Sequence, residues 1–305
     1  MVAYPARDAA CKRHTGLFAG PGSGFASSLW QAPGSGSKAQ CPENSDQPAR
    51  EAARHSPPAH SRLAYDSWYA SAPGSLALQA QQRLLRKMLA PWASRGEGRR
   101  EPSLLEFFCG SGLFLEQCCR EGFNVSGQEH DLTLAQSARS RLGRKAEIIQ
   151  NNPEQLPFND QSFDYVICVN GLEFARDARA ILREALRLAI QGMLIAFPNS
   201  WSLRGVETLG KKYPQGADAH RIPYGAHNKF APVTIWNLLH KLEVRASLTW
   251  RSTLLGPGCT WKDNPFCKRL NTLALPIASG SSVMLRLDFA PSLTGTPLLL
   301  SGWRE

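Results

Sequence analysis

The sequence is poor in residues that staple or anchor a chain. Its 305 residues include eight cysteines and no Cys-x-x-Cys pair, which excludes a disulfide scaffold and the common tetrahedral zinc sites. No apolar run approaches the ~20 residues that cross a bilayer. The first residues lack the continuous apolar core of a secretory signal. The cysteines therefore read as reduced thiols, and a cytoplasmic location is the expectation. Charge is also modest, 20% of residues against 43% hydrophobic, the balance of a globule with a sizeable core. Acidic charge is the scarcer sign, 25 Asp and Glu against 35 Lys and Arg, a formal net charge of +10. The excess is uneven: residues 1–60 carry +2 and residues 211–270 carry +7.

Residues 1–60 lack periodic apolar residues. Gly, Pro and Ser supply 20 of the 60, in segments such as Gly20-Pro21-Gly22-Ser23-Gly24 that have linker chemistry. Such a stretch buries too little apolar surface to offset its ordering entropy, so a disordered extension is expected. Asp8 and the glycines speak against the amphipathic helix of a mitochondrial presequence.

From about Leu63 the pattern becomes that of a folded domain, taken as 61–305. Leu76, Ala80, Leu84, Met88 and Leu89 lie on one helical face over 75–92. A polar break follows at Gly96 and Gly98. Strands are then predicted over Ser103–Phe108, Asn124–Glu129, Glu147–Gln150, Phe163–Val169 and Met193–Phe197. Between them lie helices over Leu113–Arg120, Leu132–Leu142 and 177–190, the second opened by Asp131 or Thr133. A helix over Val233–Leu242 and strands over Val244–Thr253 and Ser282–Phe289 follow, the last two separated by a long Pro- and Gly-containing loop. Strands interleaved with helices imply right-handed crossovers and an α/β, doubly wound, Rossmann-like, mostly parallel sheet. Residues 200–232, weakly periodic, read as an irregular insert at the strand ends, the natural place for acceptor specificity.

The informative stretch is Leu104-Leu105-Glu106-Phe107-Phe108-Cys109-Gly110-Ser111-Gly112. A strand runs into a Gly-x-Gly turn and then a helix, as open parallel sheets build a cofactor site. The dinucleotide fingerprint needs a third glycine where Leu115 stands, so a smaller nucleoside cofactor fits better. The second strand ends Gly127-Gln128-Glu129, and a carboxylate at such a tip can accept from both ribose hydroxyls.

Glu-x-x-x-Gly-x-Gly, then Gly-x-Glu, then Leu156-Pro157-Phe158 and Ser162-Phe163-Asp164-Tyr165-Val166, in that order, resemble the class I S-adenosylmethionine-dependent methyltransferases. The likeness is nearest to the small-molecule (type 11) group that includes the ubiquinone/menaquinone methyltransferases, and it covers roughly Leu63–Phe197. It implies a seven-stranded sheet and S-adenosyl-L-methionine as cofactor. It also implies that Glu106 positions the methionine ammonium and that Gly110 and Gly112 let the first loop pass under the methionine part. Glu129 would bind the ribose, Asn152-Pro153-Glu154 would lie beside the adenine, and Asn170-Gly171-Leu172 would line the methyl-transfer centre. Tyr65 or Tyr69, in Tyr65-Asp66-Ser67-Trp68-Tyr69, would close over the cofactor as a lid.

Two positions depart from the family pattern. The first glycine of its loop is Phe108 here, and its adenine-site Asp is Asn152. Candidates for a general base, where the acceptor must lose a proton, are Glu173, His220, His227 and Tyr224. Asn199, Ser200 and Trp201 follow the fifth strand at the expected mouth of the site, and there either contact substrate or form a turn anchored by a packed tryptophan. Three functions compete: methyl transfer to a small-molecule or lipid-like acceptor, methyl transfer to RNA of the transfer-RNA type, and a non-catalytic protein that keeps the fold. The RNA reading rests on Lys211, Lys212, Arg221, Lys229, Arg251, Lys262, Lys268 and Arg269 with Trp250 and Trp261 nearby. No Asn-Pro-Pro-Tyr-type motif supports amine methylation of a base. The non-catalytic reading rests on Phe108 and Asn152.

Overall fold

A computed structural model describes residues 68–94, 100–203, 206, 230–262, 264–276, 278–289 and 299–300. The expected extension over 1–60, Tyr65 and most of the 200–232 insert lie outside the described residues, as do His220, Tyr224 and His227. The chain order is α1 (Ala72–Ala93), β1 (Ser103–Phe107), α2 (Leu113–Arg120), β2 (Asn124–Gln128), α3 (Leu132–Leu142), β3 (Ala146–Ile149), β4 (Phe163–Val169), α4 (Ala178–Leu188), β5 (Ala189–Pro198), α5 (Pro232–Lys241), β6 (Ala246–Thr253), α6 (Pro265–Thr272), β7 (Ser282–Phe289) and the two-residue β8 (Leu299–Leu300).

The helices begin where capping chemistry permits. Ser71, Asp131, Asp177 and Asn264 accept from backbone amides in the first turns of α1, α3, α4 and α6, each satisfying a donor the helix cannot. Asp131, not Thr133, is the cap of α3. The long loop expected between the last two core strands contains α6, whose Asn264-Pro265 start is a cap followed by a first-turn proline. Its short apolar pattern hides it from a periodicity reading, because what it buries is Cys267 and Asn271. Asn271 is held there by donating to Thr260 and Cys267 carbonyls, both at 3.0 Å, while its Oδ1 accepts from Gly256 N at 3.0 Å.

The strands form one sheet in the order β3-β2-β1-β4-β5-β7-β6-β8. Neighbours from β3 to β5 are parallel, and β7 runs antiparallel to both β5 and β6. Seven of these strands are those read from sequence, and β8 adds only a two-residue pairing with β6. Alternate residues feed two cores. Leu104, Tyr165, Ile167, Leu194 and Met284 face one, with α1, α2 and α3. Leu105, Val166, Met193, Ile195 and Leu285 face the other, with α4 and α5. Every residue of β4 is buried, as expected of a central strand covered on both faces. The order reverses between β1 and β4, where chain leaving the two carboxyl ends diverges and a crevice opens.

Candidate active site

A cleft open to solvent lies at that reversal. β1 supplies Glu106, and the turn after it supplies Phe108, Cys109, Gly110 and Ser111. Leu113, Phe114 and Leu134 come from the first turns of α2 and α3. Val169, Asn170 and Phe174 follow from the end of β4, and Tyr69 precedes α1. Of the two lid candidates, Tyr69 lines the cleft and Tyr65 lies outside the described residues.

The turn after β1 is built by the tip of β2. Gln128 Oε1 accepts from Phe108 N at 3.1 Å, Gln128 O from Cys109 N at 2.9 Å, and Glu129 Oε2 from Gly110 N at 2.9 Å. Three successive amides are thus held by two neighbouring residues. Glu129 Oε1 also accepts from His130 N and Asp131 N at 3.0 and 3.1 Å. Glu129 has no exposed surface and is not part of the cleft lining. The carboxylate read as a ribose ligand is, in this arrangement, the brace of the glycine turn. The part played by Gln128 was not legible, since nothing in its spacing marks it.

Backbone strain gathers here. Gly110 and Gly112 have φ of 58° and 81°, and so, less comfortably, Phe108 has 53° and Asn170 49°. A left-handed phenylalanine costs about 1–2 kcal/mol. Its ring is buried over Gly171, where an added Cβ would sit 2.7 Å from Phe108 Cβ. It also stands edge-on to His130, with centroids 6.0 Å apart. Phe108 therefore narrows the cleft from one wall and leaves a cavity beside Gly110.

Other expected residues lie elsewhere. Asn152 and Glu154 are exposed on the loop after β3 and do not line the cleft. Asn152 Oδ1 accepts from Glu154 N at 3.1 Å, so it shapes its own turn. Glu173 is buried in a single 3-10 turn after β4, behind the lining. Asn199 anchors its loop, donating to Ala278 O and Gly280 O at 2.7 and 3.1 Å. Trp201 is 65% exposed, so a packed tryptophan is not what fixes that turn. Trp261, read as a stacking platform for bases, is buried, donates to Gly256 O at 3.1 Å and packs 6.3 Å from Trp68. Lys262, Lys268 and Arg269 are exposed, Arg251 and Trp250 half-buried, and Lys211, Lys212, Arg221 and Lys229 lie outside the described residues. Among the described residues no cluster of His, Cys, Asp and Glu could hold a metal ion, and no helix is long and apolar enough to cross a membrane.

Residues 105–197 match the family model of a methyltransferase domain. The matched segment, which runs from β1 into β5, is thus similar to a methyltransferase domain. Among curated proteins, the ubiquinone biosynthesis O-methyltransferase of Yersinia pestis is 29% identical over 137 residues, 40% of this chain and 55% of that protein. The one of Aliivibrio fischeri is 26% identical over 129 residues, 38% of this chain and 55% of that protein. The chain thus spans about half the length of the curated relatives it matches. A SAM-dependent methyltransferase structure from Thermotoga maritima superposes with a TM-score of 0.56 at 18% identity, covering 75% of this chain and 96% of that one, and so shares the fold.

Proposed function

We propose that the protein transfers a methyl group from S-adenosyl-L-methionine to a small-molecule or lipid-like acceptor. The observation that carries this reading is that the segment matching the methyltransferase domain also supplies most of the cleft wall, at the carboxyl ends of β1 and β4. The residues present suit the cofactor. Glu106, 1% exposed, puts a carboxylate in the lining for the methionine ammonium. Ser111 Oγ is a buried hydroxyl with no hydrogen-bond partner among the described residues. Gly110 offers a backbone that a ligand can approach closely, and Phe114 and Leu134 give an apolar wall. We assign Glu129 to holding the Gly110 turn, a ribose contact requiring that it leave those amides. Asn152 and Glu154 are proposed only as the outer rim at the adenine end.

When bound, the sulfonium supplies an activated methyl group whose departure leaves the bonding pair on sulfur. The protein's part is to align donor and acceptor and to exclude water, worth several kcal/mol. The relatives' printed activity favours an oxygen acceptor on a small or lipid-like molecule. The sparseness of cysteine, eight in 305 residues with no Cys-x-x-Cys pair, supports the cytoplasm as the place of action.

The test is calorimetry with the demethylated by-product S-adenosylhomocysteine, followed by transfer of labelled methyl to a panel of catechols and to bulk RNA. Saturable binding and label in the catechol fraction are expected. No binding at millimolar by-product overturns the reading, and label in RNA alone replaces its acceptor.

A further inference from the structure

A chain of four buried polar side chains ends in the cleft. Gln81 Nε2 donates to Ser282 Oγ at 3.2 Å, Tyr69 Oη donates to Gln81 Oε1 at 2.8 Å, and Asn170 Nδ2 donates to Tyr69 Oη at 3.2 Å. Their exposures are 1% for Ser282, 6% for Gln81, 5% for Tyr69 and 4% for Asn170. The remaining polar atom of the series, Asn170 Oδ1, is buried, belongs to a residue of the cleft wall, and has no hydrogen-bond partner among the described residues. A phenol has one hydrogen to give. Tyr69 gives it to Gln81, so it receives one from Asn170, and the amide of Asn170 must then turn its oxygen away. A buried acceptor left unmet costs about 1–3 kcal/mol. The strained backbone at Asn170, φ 49°, adds a second cost at the same residue, and such costs gather at functional sites.

We infer that Asn170 Oδ1 is a recognition point for a ligand group that donates an O–H or N–H, set in that polarity by the chain through Tyr69 and Gln81. The inference rests on the cleft being the methyl-transfer site and deepens it by naming what the ligand must present there. Two sources have this chemistry: the ammonium of the cofactor and a hydroxyl of the acceptor. An amide oxygen cannot take the proton away at neutral pH. Asn170 therefore orients the donor group, and it is a specificity residue, not a base.

The experiment compares matched ligand pairs on the full chain. One pair is S-adenosylhomocysteine and its analogue with hydrogen in place of the amine. The other, measured with S-adenosylhomocysteine saturating, is catechol and 1,2-difluorobenzene. In one of these pairs the wild type prefers the donor-bearing member by about tenfold, the worth of one good hydrogen bond. Asn170→Gly, which suits the left-handed backbone, reduces that preference to less than about twofold, while Asn170→Asp, which keeps an acceptor oxygen, retains it. Should Asn170→Gly fail to fold, Asn170→Asp and Tyr69→Phe carry the test: Asn170→Asp must keep the preference, and Tyr69→Phe, which frees the amide of Asn170 to turn, must reduce it, so an undiminished preference in Tyr69→Phe overturns the inference. The pair that responds identifies the source. If neither pair responds, the inference falls. It falls equally if the wild type prefers benzoate over catechol and Asn170→Gly removes that, because the chain then runs in reverse and presents Nδ2. Failure of S-adenosylhomocysteine to bind the wild type would instead remove the methyl-transfer reading.

Discussion

The two ends of the parallel sheet are finished in opposite ways. At the amino ends, Asp164 at the start of β4 accepts from Ser103 N and Ser103 Oγ, both at 2.8 Å, from Gln191 Nε2 at 3.0 Å and from Arg100 at 3.2 Å. Trp92 stacks on Tyr165 at 4.2 Å and donates to Asp288 at 2.7 Å. At the carboxyl ends, Ser111 Oγ and Asn170 Oδ1 are buried without partners among the described residues. Two non-glycine residues there, Phe108 and Asn170, are held at positive φ. One end spends its hydrogen-bonding capacity on itself. The other keeps some in reserve, which is what a binding site requires and a purely structural end does not.

The largest test of that contrast is Glu129, which braces the reserve end. Glu129→Ala strips accepting oxygens from three backbone amides, each worth about 1–3 kcal/mol when buried. We expect roughly 4 kcal/mol lost in urea unfolding, with S-adenosylhomocysteine affinity down at least tenfold because the Gly110 turn loosens. Glu129→Gln, which keeps one accepting oxygen, should lose about half as much. A loss below about 1 kcal/mol would mean that the turn stands without its brace.

Phe108→Gly pits two effects against each other. Relief of the left-handed backbone returns about 1–2 kcal/mol, and removal of a buried ring costs about 3–5. The net expectation is about 2–3 kcal/mol less stable, with S-adenosylhomocysteine bound more tightly as the cleft widens. A gain in stability would show that the ring contributes little packing. Weaker by-product binding would show that the ring is part of the recognition surface.

Much of this was legible in the sequence, for reasons that differ by element. β4 and α4 were visible because an apolar run and a 3.6-residue period are dictated by local chemistry, and their observed ends lie within two residues of the reading. The Gly110–Gly112 turn was visible because positive φ favours glycine. Glu129 was visible as a residue, but its bonds to the Gly110, His130 and Asp131 amides were not. A carboxylate at a strand tip can face a ligand or its own backbone, and only the three-dimensional course of the first loop decides between them. Asn152 was assigned through the resemblance alone, and its side chain is engaged by its own turn. The chain from Asn170 to Ser282 was invisible as a chain: Tyr69 and Asn170 were singled out through the resemblance alone, and Gln81 and Ser282, 201 residues apart in sequence, belong to no motif.

Asp164 tests the other end. Burial opposes its charge, but the Ser103 amide and hydroxyl, Gln191 and Arg100 outweigh that and hold its carboxyl below the ordinary carboxylate range. A depressed folded-state value means that the ionised form stabilises the fold fully above about pH 4, the unfolded value. The contribution is lost as pH falls from there through the folded value. Asp164→Asn should therefore cost about 1.5 kcal/mol at neutral pH and make the acid limb of the stability curve shallower, read from urea midpoints between pH 7 and pH 2. Arg100 is 77% exposed at its side chain, so added salt should change little. An unaltered acid limb would move the acid sensitivity of the protein away from this end.

The smallest expected effect stays at the carboxyl ends, where Tyr69 links the cleft through Gln81 to Ser282, the first residue of β7 and the partner of Pro198. Tyr69→Phe keeps the ring, which packs 5.0 Å from Trp68 and 6.2 Å from Phe114, and removes one hydroxyl. Gln81 Oε1 then loses a donor and Asn170 Nδ2 an acceptor. Removing one shared group from a buried pair costs about 1 kcal/mol, or about 3 °C in melting temperature for a domain of this size. If the chain acts as a unit, Gln81→Leu added to Tyr69→Phe should cost much less than the sum of the two single changes, since the bond between them is lost only once. Strict additivity would mean that the hydroxyl and the amide stabilise the fold independently, and the cleft would then be structurally insulated from β7.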